Sequence, residues 1–270
     1  MEKHTYRLVA SDLDSTLITE ELRLPQANID AVRKARAKGC HFAICSGRSS
    51  ASILQYEEQL GLMEQGCYGI SFNGGIVYET PTRNKIRDIR LGNELALEIS
   101  DELQDFGTNP WIYAGDMLYV VDDNKWVKEY VRRVRTTYTL VESFREIEDE
   151  VSKVIVVDSN ERLLQLEARF ADRLGGRYNG FFSADFLFEF TAKTATKGSA
   201  LLYLAEYLGI PAAQTIGIGD NLNDVHMIQA AGLSVAVKNG RQELKDMADY
   251  VTERDCGEGA VAEVLEKFVL

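Results

Sequence analysis

Tyr6-Arg7-Leu8-Val9-Ala10-Ser11-Asp12-Leu13-Asp14-Ser15-Thr16-Leu17, residues 6–17, is the stretch on which the fold turns. Its first half is a short apolar run that reads as a buried strand, and its second half sets two carboxylates, Asp12 and Asp14, at that strand's mouth. In an open parallel sheet, ligands bind beyond the carboxyl ends of the strands. A carboxylate pair in that position can hold a divalent metal and can also attack phosphorus. Taken alone, D-x-D is a common acidic turn, so its meaning depends on what surrounds it.

Outward from this stretch, apolar runs alternate with helical patterns, the signature of a parallel sheet flanked by helices. A strand is expected over 6–11, a helix over 25–38 with Pro25 in its first turn, and a strand over 41–45 after Gly39 stops the helix. A second helix follows Ser49, and 68–72 reads as a third strand before Asn73-Gly74-Gly75. The rhythm breaks near Pro81 and becomes less regular: strands are expected at 154–157 and 186–190, and helices at 124–134 and 161–174. It resumes with a helix from 197 to 208, a strand over 215–218, a helix over 222–231 and a strand over 233–237. The fold class is therefore α/β: a discontinuous Rossmann-like parallel-sheet core, residues 1–81 and 190–270, enclosing an inserted α+β domain at 82–189.

Polar chemistry gathers where that core places its strand ends. After the first strand come Asp12 and Asp14; after the second, Ser46-Gly47-Arg48; after 215–218, Gly219-Asp220-Asn221-Leu222-Asn223-Asp224; and Lys197-Gly198 opens the preceding helix. The set supplies a carboxylate nucleophile, a second carboxylate for proton transfer, acidic ligands for a hard cation, and a hydroxyl and an ammonium for phosphate oxygens. Each member has an ordinary alternative: a turn at Ser46-Gly47, a solvated lysine at 197, a helix N-cap at Asp220–Asp224. Their joint placement argues against all of these holding at once.

Composition narrows the class. The 270 residues are 45% hydrophobic and 27% charged, enough to bury a real core and to form one large or two modest domains. Thirty basic against 42 acidic residues give a net charge of −12, which repels nucleic acid and anionic lipid. Cys40, Cys45, Cys67 and Cys256 show no C-x-x-C spacing and read as reduced, buried thiols; His4, His41 and His226 are scattered. No apolar stretch approaches the ~20 residues that cross a bilayer, and the charged start Met1-Glu2-Lys3-His4 precedes a strand rather than a signal-peptide core. A cytoplasmic protein, monomeric or weakly self-associating and without nucleic-acid or membrane partners, is the expectation.

The segments Asp12–Leu17, Ser46-Gly47-Arg48, Asn73-Gly74, Lys197-Gly198 and Gly219–Met227 together resemble the haloacid dehalogenase superfamily, and within it the Cof-like sugar-phosphate phosphatases. The likeness extends through Ala231-Gly232, Ala236–Gly240 and Ala248–Thr252, so it covers nearly the whole core. It implies a Mg²⁺-dependent phosphatase of small phosphorylated metabolites. Asp12 would attack phosphorus to form an aspartyl-phosphate, and Asp14 would protonate the leaving oxygen and then activate water. Mg²⁺ would be held by Asp12, the backbone carbonyl of Asp14 and Asp220, with Asn223 and Asp224 completing or orienting the shell. Ser46 and Lys197 would contact the phosphoryl oxygens.

The inserted domain would be a cap that excludes water and reads the leaving group. Gly47, Arg48, Asn73 and Glu189 are the expected substrate contacts near its junction with the core. Along 124–134, Lys125, Lys128, Arg132 and Arg135 read as a solvated helix face. Trp126, Val127, Tyr130 and Val134 read as the side that packs on the cap sheet. Ser15 stands where the resembled family usually has glycine, and Lys238 where a small residue is common, which puts rate and substrate choice in question but removes no catalytic group. Two other readings stay open from sequence: a phosphosugar mutase using the same aspartyl-phosphate, and a non-catalytic phosphometabolite sensor.

Overall fold

The computed structural model describes residues 6–270, so the reading of Met1–His4 lies outside the described residues. The chain divides into two compact units. Unit 1 holds the residues up to Gly47, Ile53–Asp88 and Thr196–Leu270; unit 2 holds Arg48–Ser52 and Ile89–Ala195.

Unit 1 begins with β1 (Leu8–Ser11), α1 (Gln26–Ala37), β2 (His41–Ile44), α2 (Ser50–Leu60, whose first three residues group with unit 2), β3 (Tyr68–Ser71), β4 (Ile76–Glu79) and β5 (Lys85–Asp88). Unit 2 supplies α3 (Asn93–Asp105), β6 (Trp111–Ala114), β7 (Met117–Val120), α4 (Lys125–Val134), β8 (Tyr138–Leu140), β9 (Val151–Val157), α5 (Asn160–Leu174), β10 (Tyr178–Ala184) and β11 (Leu187–Ala192). The chain then returns to unit 1 through α6 (Lys197–Tyr207), β12 (Thr215–Gly219), α7 (Val225–Ala230), β13 (Leu233–Ala236), α8 (Gln242–Lys245), β14 (Tyr250–Val251) and α9 (Ala260–Phe268).

The core sheet runs β14-β13-β12-β1-β2, every pair parallel. β1 lies inside it with all four residues buried, because helices close both faces. Val9 points into a cluster with Val32 and Ala35 of α1 and Val261 and Leu265 of α9, whereas Leu8 and Ala10 point into one with Ala200, Leu201 and Leu204 of α6. Gly39, at φ +83°, turns the chain out of α1 into β2.

β3 departs from the expected third parallel strand. Its parallel link to β2 is a single bridge, Cys45 with Ile70, and its main pairing is antiparallel with β4, which pairs in turn with β5. Pro81 lies in the turn between β4 and β5 and does not mark the edge of the insert, because β5 remains hydrogen-bonded to unit 1. On the return side β11 continues to Ala192, paired with both β9 and β10. The units therefore part after Asp88 and after Ala195, against the 82 and 189 expected from sequence.

Unit 2 is built on the sheet β10-β11-β9-β6-β7-β8, antiparallel except for β7 with β8. One face, with Ile112, Val154, Val156, Phe188 and Phe190, packs on Ile99 and Leu103 of α3 and Leu163, Leu166 and Phe170 of α5. Strand alternation sends Tyr113, Lys153 and Glu189 to the opposite face, where Lys153 Nζ meets Glu189 Oε2 at 2.8 Å. On α4, Val127 and Val134 are buried and the Tyr130 ring lies 5.3 Å from that of Trp111. Trp126 does not pack as expected: it is 55% exposed, with Lys125 Nζ 4.9 Å above its ring. Lys125, Lys128, Arg132 and Arg135 are exposed, as a solvated face requires.

All four cysteines are free and buried, and burial pushes the Cys40 thiol up to about 12. Among the described residues no helix is long and apolar enough to cross a membrane.

Candidate active site

Asp12 follows β1 directly. Its backbone N–H donates to the Ile218 carbonyl at 2.9 Å, extending the pairing with β12 by one residue and fixing the start of its side chain. Beyond it Leu13, Leu17 and Ile18 are fully buried and anchor the loop. Ser15 within that loop has φ +57°, a left-handed conformation that costs a non-glycine residue roughly 1–2 kcal/mol. Its carbonyl accepts from Asn239 Nδ2 at 2.7 Å. Thr16 is fully buried, and its Oγ1 donates to Asp220 Oδ1 at 3.0 Å.

Gly219 ends β12 and lets the following loop fold back tightly. A Cβ there would stand 2.5 Å from Asp224 Cβ and Cγ. Asp224 is fully buried, and its Oδ2 accepts from the backbone N–H groups of Asp220 and Asn221 at 3.0 and 3.1 Å. Its Oδ1 accepts from Lys197 Nζ at 2.6 Å. One oxygen thus shapes the acidic loop while the other holds the lysine.

Lys197 is the first residue of α6. Thr196 caps that helix: its Oγ1 accepts from Ser199 N at 3.0 Å while its own N–H donates to Ser199 Oγ at 3.3 Å. Gly198 then allows α6 to lie close against α7, since a Cβ there would overlap the His226 carbonyl. The Lys197 side chain is wholly buried, and Nζ also donates to Asp12 Oδ1.

The resulting cluster has more negative charge than its one ammonium can balance. Burial, partly offset by Lys197 and reinforced by the charges of Asp224 and Asp14, pushes Asp12 up to about 7. Burial, with repulsion from Asp12 and Asp224, holds Asp220 well above the ordinary aspartate value. Burial disfavours the Lys197 ammonium, but Asp12 and Asp224 outweigh it and raise its pKa, so the proton stays on the lysine. Asp12, Asp220 and Asp224 each offer an oxygen within 4.8 Å of the others. Hard oxygen donors carrying uncompensated charge suit a divalent cation.

Of the residues expected from sequence, Asp12, Lys197, Asp220 and Asp224 come together in this cluster. Asp14 is half-buried and near enough for its charge to raise Asp12. Ser46 is buried at the end of β2, its N–H donating to the Ile70 carbonyl at 2.9 Å. Asn223 directs its amide to Asn73 Oδ1 at 3.4 Å. Gly47 lies against the Asn73 side chain. Arg48, buried, falls with unit 2, as does Glu189. Lys238 is exposed and lies 3.6 Å from Glu258.

Two residues escaped the sequence reading. Thr16 was visible only as part of the D-x-D segment. Lys153 could have been noticed as the lone charge in Val151–Val157, a strand of Val and Ile apart from it and Ser152, just as Glu189 interrupts Phe188 and Phe190.

Residues 9–265 match the family model described as haloacid dehalogenase-like hydrolase. Among curated sequences, YxeH of Bacillus subtilis is 30% identical over 98% of this chain and 99% of its own. M6_Spy0533 of Streptococcus pyogenes is 31% identical over 98% of each. Among solved structures, a haloacid dehalogenase-like hydrolase from Bacteroides thetaiotaomicron superposes with a TM-score of 0.88 at 26% identity, covering 97% of this chain and 99% of that one.

Proposed function

This chain belongs to the haloacid dehalogenase-like hydrolase family, and on that premise we propose that it is a Mg²⁺-dependent phosphatase of small phosphate monoesters, sugar phosphates foremost. The observation that carries the reading is the convergence of Asp12, Asp220, Asp224 and Lys197 in one buried cluster at the carboxyl ends of β1 and β12. Related phosphatases are named for substrates of this size. YcsE of Bacillus subtilis, 26% identical, is a 5-amino-6-(5-phospho-D-ribitylamino)uracil phosphatase, and YbhA of Escherichia coli, 25% identical, is a pyridoxal phosphate phosphatase.

In this reading Asp12 is the nucleophile, and one of its carboxylate oxygens attacks phosphorus as the ester P–O bond breaks, leaving an aspartyl-phosphate. Asp14 gives its proton to the departing alkoxide, then takes one from the water that hydrolyses the intermediate. Lys197 holds Asp12 in place and offsets phosphate charge, and Ser46 supplies a hydroxyl to a phosphoryl oxygen. Asp12, Asp220 and the Asp14 carbonyl would hold Mg²⁺, with Asp224 and Asn223 orienting that shell; when bound, the ion neutralises charge between carboxylate and phosphate. Unit 2 acts as the family's cap and selects the leaving group.

A hydrolysis screen across phosphorylated metabolites, with and without Mg²⁺ and with Asp12→Asn as comparator, tests this. Phosphate release that needs Mg²⁺ and disappears in Asp12→Asn is expected. Unchanged turnover in that variant would overturn the mechanism, and isomerised sugar phosphate without free phosphate would replace the hydrolase with a mutase.

A further inference from the structure

Phe72, Asn73 and Gly74, the three residues after β3, all have positive φ, at +50°, +53° and +95°. A buried phenylalanine in the left-handed region is a genuine outlier, and such backbone persists only where its surroundings over-determine it. The contacts of this turn within unit 1 supply that reason. The Asn73 N–H donates to the Ser46 carbonyl at 3.0 Å. Its side-chain amide lies close against Gly47, where a Cβ would stand 2.9 Å from Nδ2 and 3.1 Å from Oδ1. Its Oδ1 accepts from Asn223 Nδ2 at 3.4 Å. Gly74 sits so close to the Thr196 carbonyl that a Cβ would overlap it, and that Cβ would be 3.0 Å from the Lys197 backbone nitrogen.

One left-handed turn therefore touches the loop after β2, the cap of α6 and the acidic loop after β12. These are the segments that carry Ser46, Lys197 and Asp220–Asp224, and they are far apart in sequence. We propose that Asn73 is a positioning residue: it sets the acidic loop through Asn223 and the β2 loop through Ser46 and Gly47, and it does not read the leaving group. Asn73 is 2% exposed, in keeping with a structural tie. This inference rests on the phosphatase reading for its kinetic arm and on the Mg²⁺ site of that reading for its calorimetric arm.

The test compares Asn73→Gly, Asn223→Ala and the double variant with the native chain. Glycine keeps the left-handed backbone without steric cost and removes only the amide. Mg²⁺ affinity is measured by calorimetry on metal-free protein, and kcat and KM with p-nitrophenyl phosphate and glucose 6-phosphate. Each single variant is expected to weaken Mg²⁺ binding or lower kcat by about 10-fold or more, as loss of an outer-shell partner does. The ratio of the two KM values should stay fixed, and the double variant should be no worse than the poorer single one. Native-like Mg²⁺ affinity and kcat in Asn73→Gly would overturn the proposal. So would multiplying effects in the double variant, or a KM change confined to one substrate. A native chain that binds Mg²⁺ but hydrolyses neither ester would count against the phosphatase reading, while the calorimetric comparison would still decide the role of Asn73. A native chain that binds no Mg²⁺ would overturn both.

Discussion

Lys197 Nζ lies 2.6 Å from Asp224 Oδ1 in a pair whose side chains are both fully buried, 27 residues apart in the chain. Because Asp224 also fixes the backbone of Asp220 and Asn221, the lysine is a structural member of the acidic loop as well as a cation beside Asp12. Replacing it by Met leaves buried carboxylates without their counter-charge. Breaking such a pair from one side costs about 3–5 kcal/mol, and loss of a preorganised charge at a reacting oxygen costs about 10²–10³ in kcat. Lys197→Met should therefore lower both the urea midpoint and kcat. Loss of activity at native stability would assign the lysine to substrate alone.

The same excess charge predicts an inversion on metal loading. Without metal, Asp220→Asn should melt at or above the native chain, because it removes one of three mutually repelling carboxylates and keeps the oxygen that accepts from Thr16. With Mg²⁺ near 100 times its dissociation constant the native chain gains about 2.7 kcal/mol, and the order should reverse. Thermal melts with Mg²⁺ and with EDTA check this. A native melting temperature indifferent to both would remove the cation from the account.

Ser15, at φ +57° in the loop that carries the nucleophile, should tolerate glycine better than any branched residue. Ser15→Gly trades relief of the left-handed strain, roughly 1–2 kcal/mol, against about 0.5–1 kcal/mol of extra chain entropy. It should leave the melting temperature unchanged or raised. Ser15→Val should lower it, since branching at Cβ worsens the same conformation. A stabilising valine would mean that the loop does not hold this backbone in solution.

Placement that depends on local position was readable in the sequence: Asp12, Ser46, Lys197 and Asp220 each stand at or just beyond a strand end or helix start that the hydrophobic period marks. Long-range register was not. Lys153 meets Glu189 only because β9 and β11 pair in one particular register, 36 residues apart, and nothing in either strand alone specifies it. Asn73-Gly74 announced a turn, but the left-handed Phe72 follows from the neighbours that the turn must reach, which lie in distant segments. Trp126 shows the reverse failure, since helical spacing gave it a packing role that an adjacent lysine and open solvent supply instead.

Glu57 offers a stability test away from the site. Its carboxylate is fully buried in α2, accepts from the Tyr78 hydroxyl at 2.7 Å and pairs with Arg83 Nη1 at 2.6 Å. Gly69 leaves room for this arrangement, since a Cβ there would lie 2.6 Å from Glu57 Oε1. Burial, only partly offset by Tyr78 and Arg83, raises its pKa above the ordinary 4.5. The folded state then holds the proton more tightly than the unfolded chain, so stability falls as pH rises through the interval from 4.5 to the raised folded value, and levels off beyond it. Glu57→Gln keeps an oxygen for Tyr78 and cannot titrate, so the native chain should lose ground to it across that interval in urea midpoints taken from about pH 4 to pH 8. A native chain that gains on the variant with rising pH would mean that Arg83 dominates and the carboxylate is better solvated than its burial implies.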